Sequence, residues 1–344
     1  MRPALCAALV SLIAAPVFAQ APATARTTAK PPAVKAWSPS RTPDGQPDLQ
    51  GVWLNNGATP LERPKALEGK QTLTDEEVAD LKRRAARLFD DSVNSDFAGG
   101  DGFFLALLAN PDRYRNPGST GGTDGMVERE FDNRTSLISD PPDGRIPAMT
   151  AEGRERLARA PSPTGAGTRV AAGPEDFSLP LRCISYGIPR LGTTNVAGAG
   201  PLGYYQIVQT PGYVVLFLEA IHETRVIPLN GRAHLPDHVR QWSGDSRGRW
   251  EGQTLVVETT NFSPYGNFFG SAEGLRLVER FTRVASDTIS YEITVSDPST
   301  WTKPWTAVIH LKQRDEPIYE YACHEGNYDV MRGMLMGARM QEKN

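Results

Sequence analysis

The second half of this chain carries short β-branched and aromatic runs separated by turn residues, with no helical periodicity between them. No other feature constrains the fold as much. Tyr204–Gln209, Tyr213–Glu219 and Thr224–Leu229 are punctuated by Pro211-Gly212 and Asn230-Gly231. The series continues through Arg249-Trp250, Thr254–Thr260, Leu275–Val284, Ile289–Val295, Trp305–Lys312 and Tyr319–Cys323. Successive strands without crossover helices pair antiparallel. A sheet this wide must close on itself or be covered, because open edges invite aggregation. The expected fold is mainly β: an antiparallel meander over 181–328 closing into a barrel or curved sheet, with a few peripheral helices and long loops.

The first half reads differently. Thr74-Asp75-Glu76-Glu77 is a capping-box start, and Val78, Leu81, Ala85 and Leu88 follow at helical spacing. Phe103–Ala109 and Ala151–Ala158 are shorter helix candidates in a stretch otherwise broken by Asn-Pro, Gly-Gly and Pro-Pro-Asp-Gly. Residues 47–180 thus supply a first strand, helices and loops, of which 95–180 are expected to cap the barrel. Residues 329–340 read as a final outer helix.

Met1-Arg2-Pro3, an apolar run to Pro16 and Val17-Phe18-Ala19 match a secretory signal peptide cleaved after Ala19. Residues 20–46 lack apolar periodicity and read as a disordered segment ahead of a single domain over 47–344. Cys6 leaves with the leader, so Cys183 and Cys323 remain as an expected disulfide in an oxidising, periplasmic or extracellular setting. Losing Arg2 takes the formal charge from −3 to −4. A mildly acidic exported chain is a poor partner for nucleic acid or an anionic membrane surface. No apolar run is long enough to span a bilayer.

Several residues could carry chemistry. With a turn at Ala285–Thr288, Phe281 faces Glu292 and Glu279 faces Thr294, which sets Glu279 and Glu292 diagonally on one face. Such a pair suits acid–base work, and a hydrated outer face is the alternative. His222, His234 and His238 fall close together, but Pro236 excludes His234 from a helical pair, and no metal spacing results. His222 and His234 remain candidate bases. Arg225, Arg247 and Arg249 with Trp242 and Trp250 could clamp an acidic ligand; pairing with Asp237, Asp245 and Glu251 is the alternative. Gly244–Gly248 spells G-x-S-x-G but lacks the strand-to-helix context, and reads as a turn between strands. Gly198–Gly203 spells a dinucleotide fingerprint, but a strand follows it and Pro201 removes an amide. No cofactor is implied.

Pro47–Trp53, Arg134–Ile138 with Pro141–Pro147, Gly244–Phe262 and Glu320–Tyr328 resemble a family of secreted bacterial proteins of unassigned function. That resemblance covers most of the chain and carries no reaction with it. Gly51-Val52-Trp53 is also similar to the G-x-W opening of lipocalins, which implies a ligand-binding antiparallel barrel. Three functions follow as expectations. The first is an exported protein binding a small, partly apolar molecule in a barrel cavity. The second is a periplasmic hydrolase, isomerase or lyase using His222 or His234 with Glu279 or Glu292. The third is a structural envelope protein.

Overall fold

The computed structural model describes residues 37–88, 101–109, 129–160, 173–191, 203–266, 268–271 and 273–341. In chain order the elements are strand β1 (Gly51–Leu54), helices α1 (Asp75–Leu88) and α2 (Asp101–Leu108), strand β2 (Ile138–Asp140) and helix α3 (Ala151–Arg159). Then come β3 (Tyr204–Thr210), β4 (Tyr213–Leu218), β5 (Thr224–Pro228), β6 (Asp245–Glu251), β7 (Thr254–Thr260), β8 (Arg276–Ala285), β9 (Thr288–Ser296), β10 (Trp305–Arg314) and helix α4 (Cys323–Gln341). The protein is mainly β, as its alternating segments require.

The strands form one antiparallel path, β5-β4-β3-β1-β10-β9-β8-β7-β6, nearly closed into a barrel, with β2 pairing to β10 off the path. A path of nine antiparallel strands ends on two that run the same way. β5 and β6 therefore meet as parallel neighbours and cannot extend the antiparallel ladder. Side chains hold this seam instead. Arg225 of β5 donates to the Ser246 hydroxyl of β6 at 3.0 Å. A Cβ on Gly248 would come within 2.6 Å of Leu229 and 2.8 Å of Ile227. Gly248→Val should therefore force the seam apart and cost about 1–3 kcal/mol in urea denaturation. The chain from Leu229 to Gly244 runs back against the seam, with Leu235 N donating to Asp245 at 3.0 Å and Arg247 to the Ala233 carbonyl at 3.2 Å.

The barrel interior is filled by side chains. Trp53, Trp305, Phe281, Tyr291, Leu255 and Ile293 are among its fully buried members. Satellite packing of Val78, Leu81 and Ala85 from α1 against Phe103, Phe104 and Leu107 from α2 makes a second core. The α1 start is the expected reciprocal box: Thr74 N donates to Glu77 at 2.8 Å and Glu77 N to Thr74 at 3.3 Å.

Five local expectations are corrected. In the β8–β9 hairpin Phe281 faces Tyr291, Glu279 faces Ile293 and Arg280 faces Glu292. A bulge between Arg283 and Ala285 leaves Val284 unpaired and moves the register by one, which turns Glu292 outward and Glu279 inward. Phe281 stacks on Tyr291 at 4.3 Å in consequence. Tyr319–Cys323 is not a strand, because its amides go to side chains: Tyr319 N to Glu219 at 3.1 Å and Tyr321 N to His222 at 3.1 Å. Helix α4 accordingly starts at Cys323, ahead of residue 329. The G-x-S-x-G spelling is mostly strand, with Gly244 in the turn and Asp245 opening β6. Order reaches into 20–46 as well, since Arg41 bridges to Pro47.

The two ends of the barrel are built differently. Tight turns at Pro211-Gly212, Gly252-Gln253 and Ser286-Asp287 close one end. The other carries the long connections 219–223, 261–275 and 297–304. Among the described residues, the non-glycine positions with left-handed backbone are Cys183, Ile221, His222, Asn261 and Phe269. The last four sit in the long connections, and the Ser185–Glu223 bond ties the Cys183 segment to the same end. Left-handed backbone at non-glycine residues and long loops are thus concentrated at this end.

Candidate functional site

At the long-loop end, helix α3 is lashed to the barrel. Thr150 caps it by accepting from Gly153 N at 3.0 Å. Gly153 and Gly270 allow the contact: a Cβ on Gly153 would meet the Thr300 carbonyl at 2.8 Å, and one on Gly270 would meet the Gly153 carbonyl at 2.8 Å. Arg156 then ties three segments together, donating to Gly270 O at 3.0 Å, Ser299 O at 3.0 Å and the Thr300 hydroxyl at 2.8 Å.

Beside this junction lies a cavity of about 530 Å³. Arg156 and Arg159 line it from α3, Glu175, Phe177 and Arg182 from the 175–182 segment, and Pro264 and Tyr265 from the β7–β8 connection. Arg156 is paired with Glu152 and Arg159 with Glu155 one helical turn back. Among the described residues the Arg182 guanidinium has no hydrogen-bond or ion-pair partner. Tyr265 is 79% exposed at the edge of the recess. The recess thus places Phe177, Leu179 and Pro264 beside a half-buried guanidinium that has no partner among the described residues, with the Glu175 carboxylate in the same lining.

A second polar group lies inside the barrel and is sealed there. Arg225 donates to both Glu279 oxygens, at 2.9 and 2.5 Å, and to Ser246 and Thr259 at 3.0 Å each. Tyr291 donates to the same carboxylate at 2.5 Å. Glu279 is fully buried and Arg225 nearly so. Burial opposes charge on Arg225, but Glu279 outweighs it and holds the guanidinium above its usual range. This network cross-links β5, β6, β7, β8 and β9, with the Arg225 Nε left as its one buried donor without a partner among the described residues.

Burial raises the phenol pKa of Tyr186, Tyr205 and Tyr291. A pKa raised by folding gives stability that is complete below the unfolded value of about 10 and fades as pH climbs above it. The native protein should therefore show late phenolate absorbance for these tyrosines and a melting temperature that falls above about pH 10. A normal titration of all tyrosines in the folded state would contradict this.

Glu223 forms a third buried group beside the seam. It accepts from Ser185 at 2.9 Å and from Ser243, and Arg190 lies 3.8 Å away with its guanidinium over the Tyr186 ring. His222, next to it, accepts from Tyr321 N and stacks on Phe217. On the barrel wall His234 Nδ1 lies 2.9 Å from Asp245, which also receives Arg247 at 2.7 Å. Asp245 thereby holds the imidazole in one orientation, as the carboxylate of a histidine–aspartate pair does.

The residues singled out in the sequence do not converge. Arg225 and Glu279 are bonded to each other in the interior; Glu292 is on the outer face. His222 and His234 occupy separate connections. Trp250 packs on the core, Arg247 meets Asp245, and Arg249 pairs outside with Glu251 and Glu258. Trp242 stands 37% exposed in the chain that covers the seam. Among the described residues no three His, Cys, Asp or Glu side chains gather as a metal-binding group. Gly198–Pro201 lie outside the described residues. Arg156 and Arg182 have no motif to announce them, although Arg182 sits next to Cys183, whereas Asp245 is the pairing partner that the sequence offered for Arg247.

Cys183 and Cys323 are joined, with a sequence separation of 140. No helix of the described residues is long and apolar enough to cross a membrane. No protein-family model matches the chain, and no curated protein is similar to it.

Proposed function

We propose that this is an exported protein that binds a small, partly apolar molecule at the long-loop end of its barrel. The carrying observation is the cavity of about 530 Å³ where α3, the 175–182 segment and the β7–β8 connection meet. Its size falls in the range of small-molecule sites, and barrel mouths are common places for them. The barrel itself serves as the rigid support, because its interior is occupied by side chains. The disulfide and the leader-like first 19 residues support export. Native mass spectrometry on protein purified from the periplasm tests the reading. A retained small molecule is expected, and it should be lost when Ala160→Trp fills the recess. An empty wild-type protein that also fails to bind any member of a small-molecule library overturns it.

A second reading, a hydrolase, rests on His234. Asp245 orients its Nδ1, which leaves Nε2 to take a proton from an attacking water. His234→Ala should then abolish turnover in a panel of ester substrates, whereas equal turnover by wild type and variant removes this reading.

A further inference from the structure

The geometry points to a monocarboxylate with an apolar body as the ligand of the 530 Å³ cleft, with Arg182 as its anchor. This inference rests on the binding reading above and names its ligand class. Three guanidinium groups line the cleft, but they are not equivalent. Arg156 and Arg159 already have carboxylates from their own helix, and Arg156 is further committed to Gly270, Ser299 and Thr300. Arg182 alone of the three keeps its charge unmatched among the described residues, so the cleft has one strong seat for one anionic group. Glu175 lines the same recess and repels anions on its side, which limits the favourable seat to the Arg182 side.

The seat is also held in place. Cys183, the next residue, is bonded to Cys323 at the start of α4. Asn327 of that helix donates to the Pro180 carbonyl at 3.3 Å on the other side of Arg182. A guanidinium fixed at its root binds a carboxylate through two parallel hydrogen bonds. Phe177, Leu179 and Pro264 would cover the apolar body, and the exposed Tyr265 ring could fold onto it.

The test compares 1-naphthaleneacetate with its neutral isostere 1-naphthaleneacetamide, titrated into the full-length mature protein by calorimetry. Wild type should bind the acid about tenfold or more tightly than the amide. Arg182→Ala should bring the two to equal affinity, and Arg182→Lys should keep part of the preference. Added salt should weaken the acid and leave the amide unchanged. Equal affinities in wild type, or a preference that survives Arg182→Ala, overturn the carboxylate assignment. Either result leaves the binding reading standing, because the molecule retained in native mass spectrometry judges that separately. Failure of both compounds to bind wild type also overturns the assignment.

Discussion

Arg225→Ala should destabilise the protein by about 3–5 kcal/mol, because it strands the Glu279 carboxylate in the barrel interior without its counter-charge. Glu279 is fully buried and accepts from Arg225 at both of its oxygens. The same substitution removes the hydrogen bond from β5 to the Ser246 hydroxyl of β6, where no antiparallel ladder exists to replace it. Urea denaturation measures the loss, and amide exchange should show β5 opening first. The paired substitution Arg225→Met with Glu279→Leu separates the charge from the packing. It removes both buried charges at similar volume, and it should recover most of the stability. If Arg225→Ala costs under about 1 kcal/mol, the pair is solvated and the seam is held by other contacts.

Loss of the disulfide should have an effect of similar size. Cys183 and Cys323 close a loop of 140 residues. The chain-entropy model gives about 5 kcal/mol for such a loop, and measured values cluster near 2–4 kcal/mol. Cys183→Ala should expose one free thiol, lower the melting temperature and loosen the first turn of α4, which is docked through Cys323 and Asn327. Because Cys183 adjoins Arg182, the variant should also bind 1-naphthaleneacetate more weakly at a temperature where it remains folded. Two free thiols in the wild type with an unchanged melt in the variant would overturn the pairing.

Much of the architecture is legible in local patterns. The β3–β4 hairpin follows from Pro211-Gly212 between two alternating runs, and the α1 start follows from Thr74 and Glu77 three residues apart. The site was far less legible. Arg225 and Arg182 look alike as isolated basic residues, yet one is neutralised in the core and the other faces a cavity. The difference depends on Glu279, which lies 54 residues from Arg225. The β8–β9 register shows the same limit. Counting back from the turn places Glu279 beside Glu292, and one bulged residue, Val284, reverses the result.

By itself, then, the sequence determined the properties that depend on near neighbours. These are the mainly antiparallel β composition, the helix starts, the tight turns and the two cysteines available to pair. They are set by backbone preference and side-chain periodicity over a few residues. The tertiary structure alone decided the rest. An odd number of strands brought β5 and β6 together in parallel, a bulge chose which face of β8 is buried, and distant loops met around Arg182. Each of those outcomes rests on contacts between residues far apart in the chain, and no local pattern encodes which partner a buried charge will find.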